Sequence, residues 1–143
     1  MEQIKLHKTR LRASGLRPTK QRIAICKILF DRKETFHFTI EKLKKIAKKN
    51  SGEKISLATL YNTIYAFKKK GYVKEILFKD NRTFFDTNTK KHHHFYDEDS
   101  SQLIDIKNNN FSLKNIPNPP DGKKIKDIEV TIRVANNNQK QKK

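Results

Sequence analysis

Three consecutive histidines, His92, His93 and His94, stand just before an acidic triplet at residues 97–99. Neutral imidazole is a common protein ligand for zinc, iron, nickel and copper, and carboxylates complete such sites. If the segment is extended, its side chains alternate between two faces, so His92 and His94 point one way and His93 the other. The pattern predicts a metal site with His92 and His94 as ligands, and the alternative is a solvated polar turn.

Two upstream residues would complete the ligands of such a site. His37 lies in a short linker with apolar neighbours, and Asp86 ends a predicted strand shortly before the histidines. With His92 and His94 they give three nitrogens and one oxygen, a set that zinc or ferrous iron accepts. A lone histidine in such a linker is commonly structural, so both interpretations of His37 stay open. His93, on the other face, could join a second metal site to which the acidic triplet contributes.

Positive charge is concentrated in the first part of the chain. Residues 1–91 contain 24 Lys and Arg against 8 Asp and Glu, a net charge of +16, whereas residues 92–143 contain 9 against 7. A basic segment joined to a nearly neutral one is typical of a nucleic-acid-binding domain joined to another module. An AT-rich genome would explain the excess of lysine over arginine but would not explain this asymmetry.

The predicted elements place a DNA-binding module ahead of the histidines. Apolar periodicity and capping residues predict helices at 4–14, from Pro18, from Thr39 and from Ser56. A strand at 72–78, a polar turn at 79–82 and a strand at 83–86 follow. Helices followed by a hairpin form the order of a winged helix-turn-helix. The buried stripe of the fourth helix is expected at Leu57, Leu60, Ile64 and Phe67.

The rest of the chain predicts a small second domain. A strand is expected at 102–106, strict alternation predicts another at 126–134, and prolines between them exclude a long helix. This segment is small, and its strands are apolar on one face only, so it cannot bury them alone. We therefore predict a homodimer. The expected fold class is α+β. A winged helix-turn-helix at 1–87 precedes an α/β dimerisation and sensing domain at 88–135 and a disordered polar tail at 136–143.

The face of the fourth helix opposite its apolar stripe provides candidate base contacts, because the second helix of such a motif lies in the major groove. The residues on this face are Ser56, Ala58, Thr59, Tyr61 and Asn62. The basic residues expected to reach phosphates are Arg17, Lys20, Arg22, Lys79 and Arg82. Arg17 could also enter a narrow minor groove. The charge asymmetry favours double-stranded DNA as the partner over an ordinary solvated surface.

Other classes of protein are disfavoured. Cys26 is the single cysteine, so no Cys-x-x-Cys zinc clip exists, and its apolar helical setting predicts a buried thiol. No apolar run is long enough to span a membrane and the N-terminus has no signal-peptide core, which predicts a cytoplasmic protein without a membrane partner. No phosphate-binding loop and no Ser or Cys nucleophile in a recognisable catalytic motif supports an enzyme. A metal-dependent nuclease and a non-specific nucleoid-type DNA-binding protein stay as alternatives.

The motifs resemble those of the ferric uptake regulator (Fur) superfamily over roughly residues 10–135. Leu11–Arg22 is similar to the family's opening motif, and Ile55–Thr63, with its Ala-Thr-x-Tyr core, is similar to its recognition helix. His92–Asp99 followed by Leu103–Ile106 looks like the iron response regulator (Irr) branch, which represses or activates iron and haem genes. The resemblance implies a dimeric transcription regulator of iron and haem homeostasis that binds iron, manganese or zinc.

The resemblance also implies roles for particular residues. The family's hinge metal site takes a histidine before the third helix, an acid at the end of the wing and two of the clustered histidines. These positions match His37, Asp86, His92 and His94. In the same way, Tyr61 matches the family's base-contacting tyrosine and Arg17 its minor-groove basic residue.

The sequence departs from the family at three places. The first Cys-x-x-Cys pair that binds structural zinc in many members aligns with Asp97 and Ser100, so that zinc site is absent. A proline-rich segment at 111–122 replaces the usual dimerisation helix, as in Irr-like proteins. The Cys-Pro haem motif of some Irr proteins is missing, because Lys27 follows Cys26. Residues 92–94, His93 included, are then the candidate haem site, and a haem-synthesis protein is a candidate partner.

Overall fold

The structure, a computed structural model, describes residues 2–52, 54–78, 82–107 and 111–138. It divides into two compact units, Met1–Thr89 and Lys90–Lys143. The division predicted from the sequence lies at residues 87–88. Lys79 of the predicted wing turn and residues 139–143 of the predicted tail lie outside the described residues. No helix among the described residues is long and apolar enough to cross a membrane.

Four helices form most of the first unit. They are α1 (Glu2–Ala13), α2 (Lys20–Phe30), α3 (Ile40–Ser51) and α4 (Leu57–Lys70). Thr19, Thr39 and Ser56 cap the last three, each accepting a backbone N–H from the first helical turn. Gly71, with a φ of 92°, ends α4 in the left-handed conformation that glycine adopts without strain.

The helices meet in one apolar core. Fully or almost fully buried side chains from all four helices include Leu11, Ile25, Leu43 and Leu60. The prediction that the apolar stripe of α4 is buried was wrong for Leu57, which is 45% exposed. Leu60, Ile64 and Phe67 are buried as predicted. Leu57 is the first residue of the helix, and the core begins one turn later.

A small antiparallel sheet completes the first unit. Its strands are β1 (His37–Phe38), β2 (Lys74–Leu77) and β3 (Thr83–Asp86), in the order β1-β3-β2. The hairpin of β2 and β3 confirms the predicted wing, although β2 is shorter than the strand expected at 72–78. β1 was not predicted, because its two residues are too few to show an alternating pattern.

The second unit contains β4 (His93–Asp97), β5 (Gln102–Ile106) and β6 (Thr131–Val134). In the order β5-β4-β6, β4 pairs antiparallel with β5 and parallel with β6. The strand predicted at 126–134 forms only over its last four residues. Among the described residues of this unit no α-helix occurs, as the prolines indicated. Together the two units confirm the predicted α+β class, although the described part of the second unit is a β-sheet without the helix that the predicted α/β domain implies.

Candidate metal centre and DNA-reading helix

His92, His94 and Asp105 bring their ligating atoms together in the second unit, within 4.8 Å of one another. Asp105 lies on β5 directly opposite His94. Its Oδ1 is 3.1 Å from Nε2 of His94 and 3.5 Å from Nε2 of His92. The two imidazole rings are 4.3 Å apart between centroids. Both histidines are buried, while Asp105 is exposed. The predicted alternation of the histidine segment is therefore confirmed.

The hydrogen bond of His92 favours metal binding. Its Nδ1 lies 2.6 Å from the carbonyl oxygen of Lys90, to which it can only donate. In the neutral ring the lone pair is then on Nε2, the atom that faces Asp105. Metal-ligating histidines commonly hold their second nitrogen in this way. The Nε2 lone pair of His92 and a carboxylate oxygen directed at one point repel each other unless a cation or a proton lies between them.

These residues fit a divalent metal. Imidazole and carboxylate donors without thiolate suit zinc, iron or manganese. The alternative is an imidazole that carries its proton on Nε2, which would donate directly to Asp105 at these distances.

His93 is engaged on the other face of the segment. Its Nδ1 accepts the backbone N–H of Val130 at 3.0 Å, and its ring lies 4.5 Å from that of Phe111. A neutral imidazole that accepts at Nδ1 carries its proton on Nε2. In this arrangement neither nitrogen offers a lone pair to a metal or haem iron, so His93 fastens β4 to the segment that leads into β6.

The acidic triplet forms the turn between β4 and β5. Asp97 Oδ1 accepts the backbone N–H groups of Asp99 at 2.9 Å and Ser100 at 3.2 Å. The bonds from Ser100 and Asp99 lower the pKa of the Asp97 carboxyl below its ordinary value of 3.8. Asp97 therefore has a local structural role, and the triplet needs no metal to explain its position.

The other two predicted ligands, His37 and Asp86, lie on paired strands of the first unit. β1 and β3 pair so that His37 stands opposite Asp86, and opposed residues of an antiparallel pair lie side by side on one face. Asp86 is 1% exposed, and its Oδ1 accepts the N–H of Asn88 at 2.9 Å. Thr87 Oγ1 accepts the N–H of Phe36 at 3.0 Å, which fixes the residues beside both ligands.

Of the four predicted ligands, His37 and Asp86 thus belong to the first unit, and His92 and His94 belong to the second. Sequence reasoning missed Asp105. The available signal was the predicted strand at 102–106, because a hairpin partner of the histidine strand must place one of its residues opposite His94.

Two of the predicted base-contacting residues also cap the helix. Ala58, Tyr61 and Asn62 are exposed on α4. Ser56 is exposed as well, but its Oγ accepts the N–H of Thr59 at 3.2 Å and lies 3.0 Å from the Thr59 hydroxyl. Ser56 and Thr59 therefore shape the start of the helix in this structure. Tyr65, one turn after Tyr61, is 42% exposed on the same helix and was not predicted.

The basic residues before α2 also differ from one another. Arg17 and Lys20 are exposed. Arg22 is half-buried, and its Nη1 donates to the carbonyl oxygen of Arg17 at 3.0 Å. This bond makes Arg22 a support for the loop that presents Arg17. Arg82, at the wing, is exposed.

Comparison with known proteins agrees with this architecture. Residues 13–133 match the sequence profile of the ferric uptake regulator family. The chain is 35% identical over 96 residues to the peroxide-responsive repressor PerR of Staphylococcus aureus, a match that covers 67% of this chain and 63% of that repressor. The match thus spans less than two thirds of the length of this relative.

Solved structures show the same fold. The ferric uptake regulator of Pseudomonas aeruginosa, solved with manganese, has a TM-score of 0.64 at 21% identity, covering 92% of this chain and 98% of that chain. The Vibrio cholerae ferric uptake regulator has a TM-score of 0.65 at 22% identity, covering 90% and 98%.

The chain belongs to the ferric uptake regulator family. The relatives that the family profile and the sequence comparison identify are regulators and repressors.

Proposed function

We propose that this protein is a homodimeric, DNA-binding transcription regulator whose affinity for its operator depends on a divalent metal. The observation that supports this most strongly is the convergence of His92 Nε2 and His94 Nε2 on one oxygen of Asp105. The His92 bond to Lys90 prepares the required lone pair. This donor set belongs to a chain whose first unit has the elements of a winged helix-turn-helix.

The metal would also draw its ligands from the first unit. His37 and Asp86 are neighbours there, and only residues 87–91 separate Asp86 from His92. A chain of this length reaches at most roughly 20 Å, so one metal can engage both groups. A metal bound by both units would restrict the angle between them and thus the spacing of two DNA-binding units. We expect a coupling free energy of about 1–3 kcal/mol between metal and operator binding.

DNA recognition would use the exposed face of α4. Ala58 can touch a thymine methyl group, Tyr61 can pack on a base or sugar, and Asn62 can pair with adenine. Arg17, Lys20 and Arg82 are exposed and would contact the DNA backbone. The surplus of 16 positive charges in residues 1–91 supports a polyanionic partner.

A second copy of the chain would cover the apolar surface of the second unit. The exposed aliphatic side chains are Ile104, Leu113, Ile116, Ile125 and Ile132, between 37% and 46% exposed. β5 and β6 are both outer strands of their sheet. Pairing of two such units would bury this surface, and sedimentation equilibrium should give twice the chain mass.

Iron is the proposed physiological metal, with regulation of iron and haem homeostasis as the biological role. The resemblance to the Irr branch supports this role, and imidazole and carboxylate ligands suit ferrous iron. Haem, with a haem-synthesis protein as partner, is the alternative form of the proposal. The bond between His93 and Val130 weighs against haem, because that imidazole would have to give up its backbone donor.

A peroxide response is a second candidate function. The relatives matched at 35% identity are named peroxide-responsive repressors. Cys26 is fully buried and burial raises the pKa of its thiol to about 12, so it cannot serve as the peroxide target. Peroxide would then have to act at the metal. The test is to add peroxide to the iron-loaded protein and measure whether DNA binding is lost.

The proposed function is tested by titrating the protein on an AT-rich palindromic duplex and on a scrambled duplex. Ferrous iron, manganese, zinc and haem are added separately, without oxygen. We expect specific binding that changes with a divalent metal and not with haem. Binding that ignores both sequence and ligand would instead identify a general DNA-coating protein.

A further inference from the structure

Tyr61 and Tyr65 lie one turn apart on α4 and form an exposed pair of stacked rings. Their centroids are 5.9 Å apart and their planes are inclined by 13°. The two side chains are 43% and 42% exposed. Aromatic rings at this separation attract each other, so the position of one ring restricts the other.

Tyr65 is fixed on its other side by the core. Its ring meets that of Phe85 edge-on, at 5.7 Å and 86°. Phe85 is fully buried and stacks on Phe38 at 5.8 Å, its partner across β1 and β3. Lys68 Nζ lies 5.7 Å from the Tyr65 ring centroid. Tyr65 therefore links the exposed ring of Tyr61 to Phe85. Phe85 lies in a rigid part of the sheet, directly before Asp86.

We propose that Tyr65 is a positioning residue for DNA recognition, which holds the Tyr61 ring in the orientation that α4 presents to a base or sugar. This inference rests on the proposed function in that Tyr61 is taken to read DNA. Ordering a flexible side chain on binding lowers affinity by a factor of roughly two to ten. The stack orders Tyr61 before DNA arrives and so removes that loss.

Two substitutions separate positioning from simple packing. Tyr65→Leu keeps an apolar contact with Phe85 but removes the ring, whereas Tyr65→Phe keeps the ring. With manganese bound, we expect Tyr65→Leu to weaken binding to the AT-rich palindrome about two- to tenfold without changing binding to the scrambled duplex. Tyr65→Phe should bind both as the unaltered protein does. Equal weakening on both duplexes, or the same loss in Tyr65→Phe, would overturn the proposal.

A double-variant cycle tests whether Tyr65 acts through Tyr61. If it does, the protein with both Tyr61→Leu and Tyr65→Leu binds the palindrome no more weakly than Tyr61→Leu alone. Losses that add would mean that Tyr65 touches DNA independently, and the positioning role would be rejected.

A measurement without DNA keeps this inference separate from the proposed function. In the free protein, the ring current of Tyr65 should displace the NMR signals of the Tyr61 ring. Tyr65→Leu should move them toward values for a mobile tyrosine, and Tyr65→Phe should leave them nearly unchanged. Tyr61 signals that ignore Tyr65→Leu would overturn the positioning role even if the protein binds its operator. A protein without preference for the palindrome would instead refute the proposed function.

Discussion

His94 and Asp105 face each other across β4 and β5, with Nε2 of the histidine 3.1 Å from Oδ1 of the carboxylate. The opposed register fixes this approach, and His92 joins it from two residues earlier. The hairpin thus assembles three potential ligands from a short stretch of sequence.

Asp105→Asn should weaken binding of manganese or zinc. The amide keeps the size of the side chain but loses the negative charge. We expect metal affinity to fall about ten- to hundredfold, the range seen when groups that support metal ligands are altered. Competition with a chelator measures this affinity. Asp127→Asn removes an equivalent charge from another exposed acid of the second unit and should bind metal normally. Equal affinities of the two variants would exclude Asp105 as a ligand.

His92→Ala and His93→Ala should differ although the residues are adjacent. His92→Ala removes a proposed ligand, so metal should no longer raise the melting temperature. His93→Ala breaks the bond to Val130, and we expect a loss of about 0.5–1.5 kcal/mol of stability with metal binding retained. Thermal unfolding with and without zinc distinguishes them. Loss of metal binding in His93→Ala alone would reverse the assignment.

Tyr61→Ala should reduce specific DNA affinity far more than non-specific affinity. A lost base contact weakens the specific complex by about 1–3 kcal/mol, whereas phosphate contacts are unaffected. Fluorescence anisotropy on palindromic and scrambled duplexes measures both. Leu77→Ala, at a side chain 71% exposed on β2, provides the control. If Tyr61→Ala weakened both duplexes alike, Tyr61 would not be a base reader.

Cys26 should make the protein less stable in alkali. Burial raises its pKa from 9.0 to about 12, so above pH 9 the unfolded thiol ionises while the folded thiol keeps its proton. The folded state then loses stability between pH 9 and 12, by up to about 1.4 kcal/mol per pH unit. Comparing free energies of unfolding of Cys26→Ala and the unaltered chain across this range isolates the effect. Parallel curves would contradict it.

Much of the first unit could be predicted from the sequence because its signals are local. Capping at Thr39 and Ser56 and the glycine stop at Gly71 depend on residues within one turn of the helix end. The exposure of Leu57 could not be predicted, because periodicity identifies a face but not where the core along that face begins.

The candidate site was predicted in part for the same reason. Alternation alone placed His92 and His94 together, since it is a property of one strand. Asp105 and the engagement of His93 with Val130 depend on which strands pair and in what register. That information comes from tertiary packing, which a single sequence pattern does not contain.

The most direct test of the account is the effect of manganese on DNA binding by the unaltered protein and by the His92→Ala/His94→Ala variant. Manganese should change the affinity of the unaltered protein for the palindrome about 5- to 150-fold. The variant should keep its non-specific binding and show no response to manganese. A variant that responds as the unaltered protein does would show that the metal acts elsewhere and would contradict the proposed centre.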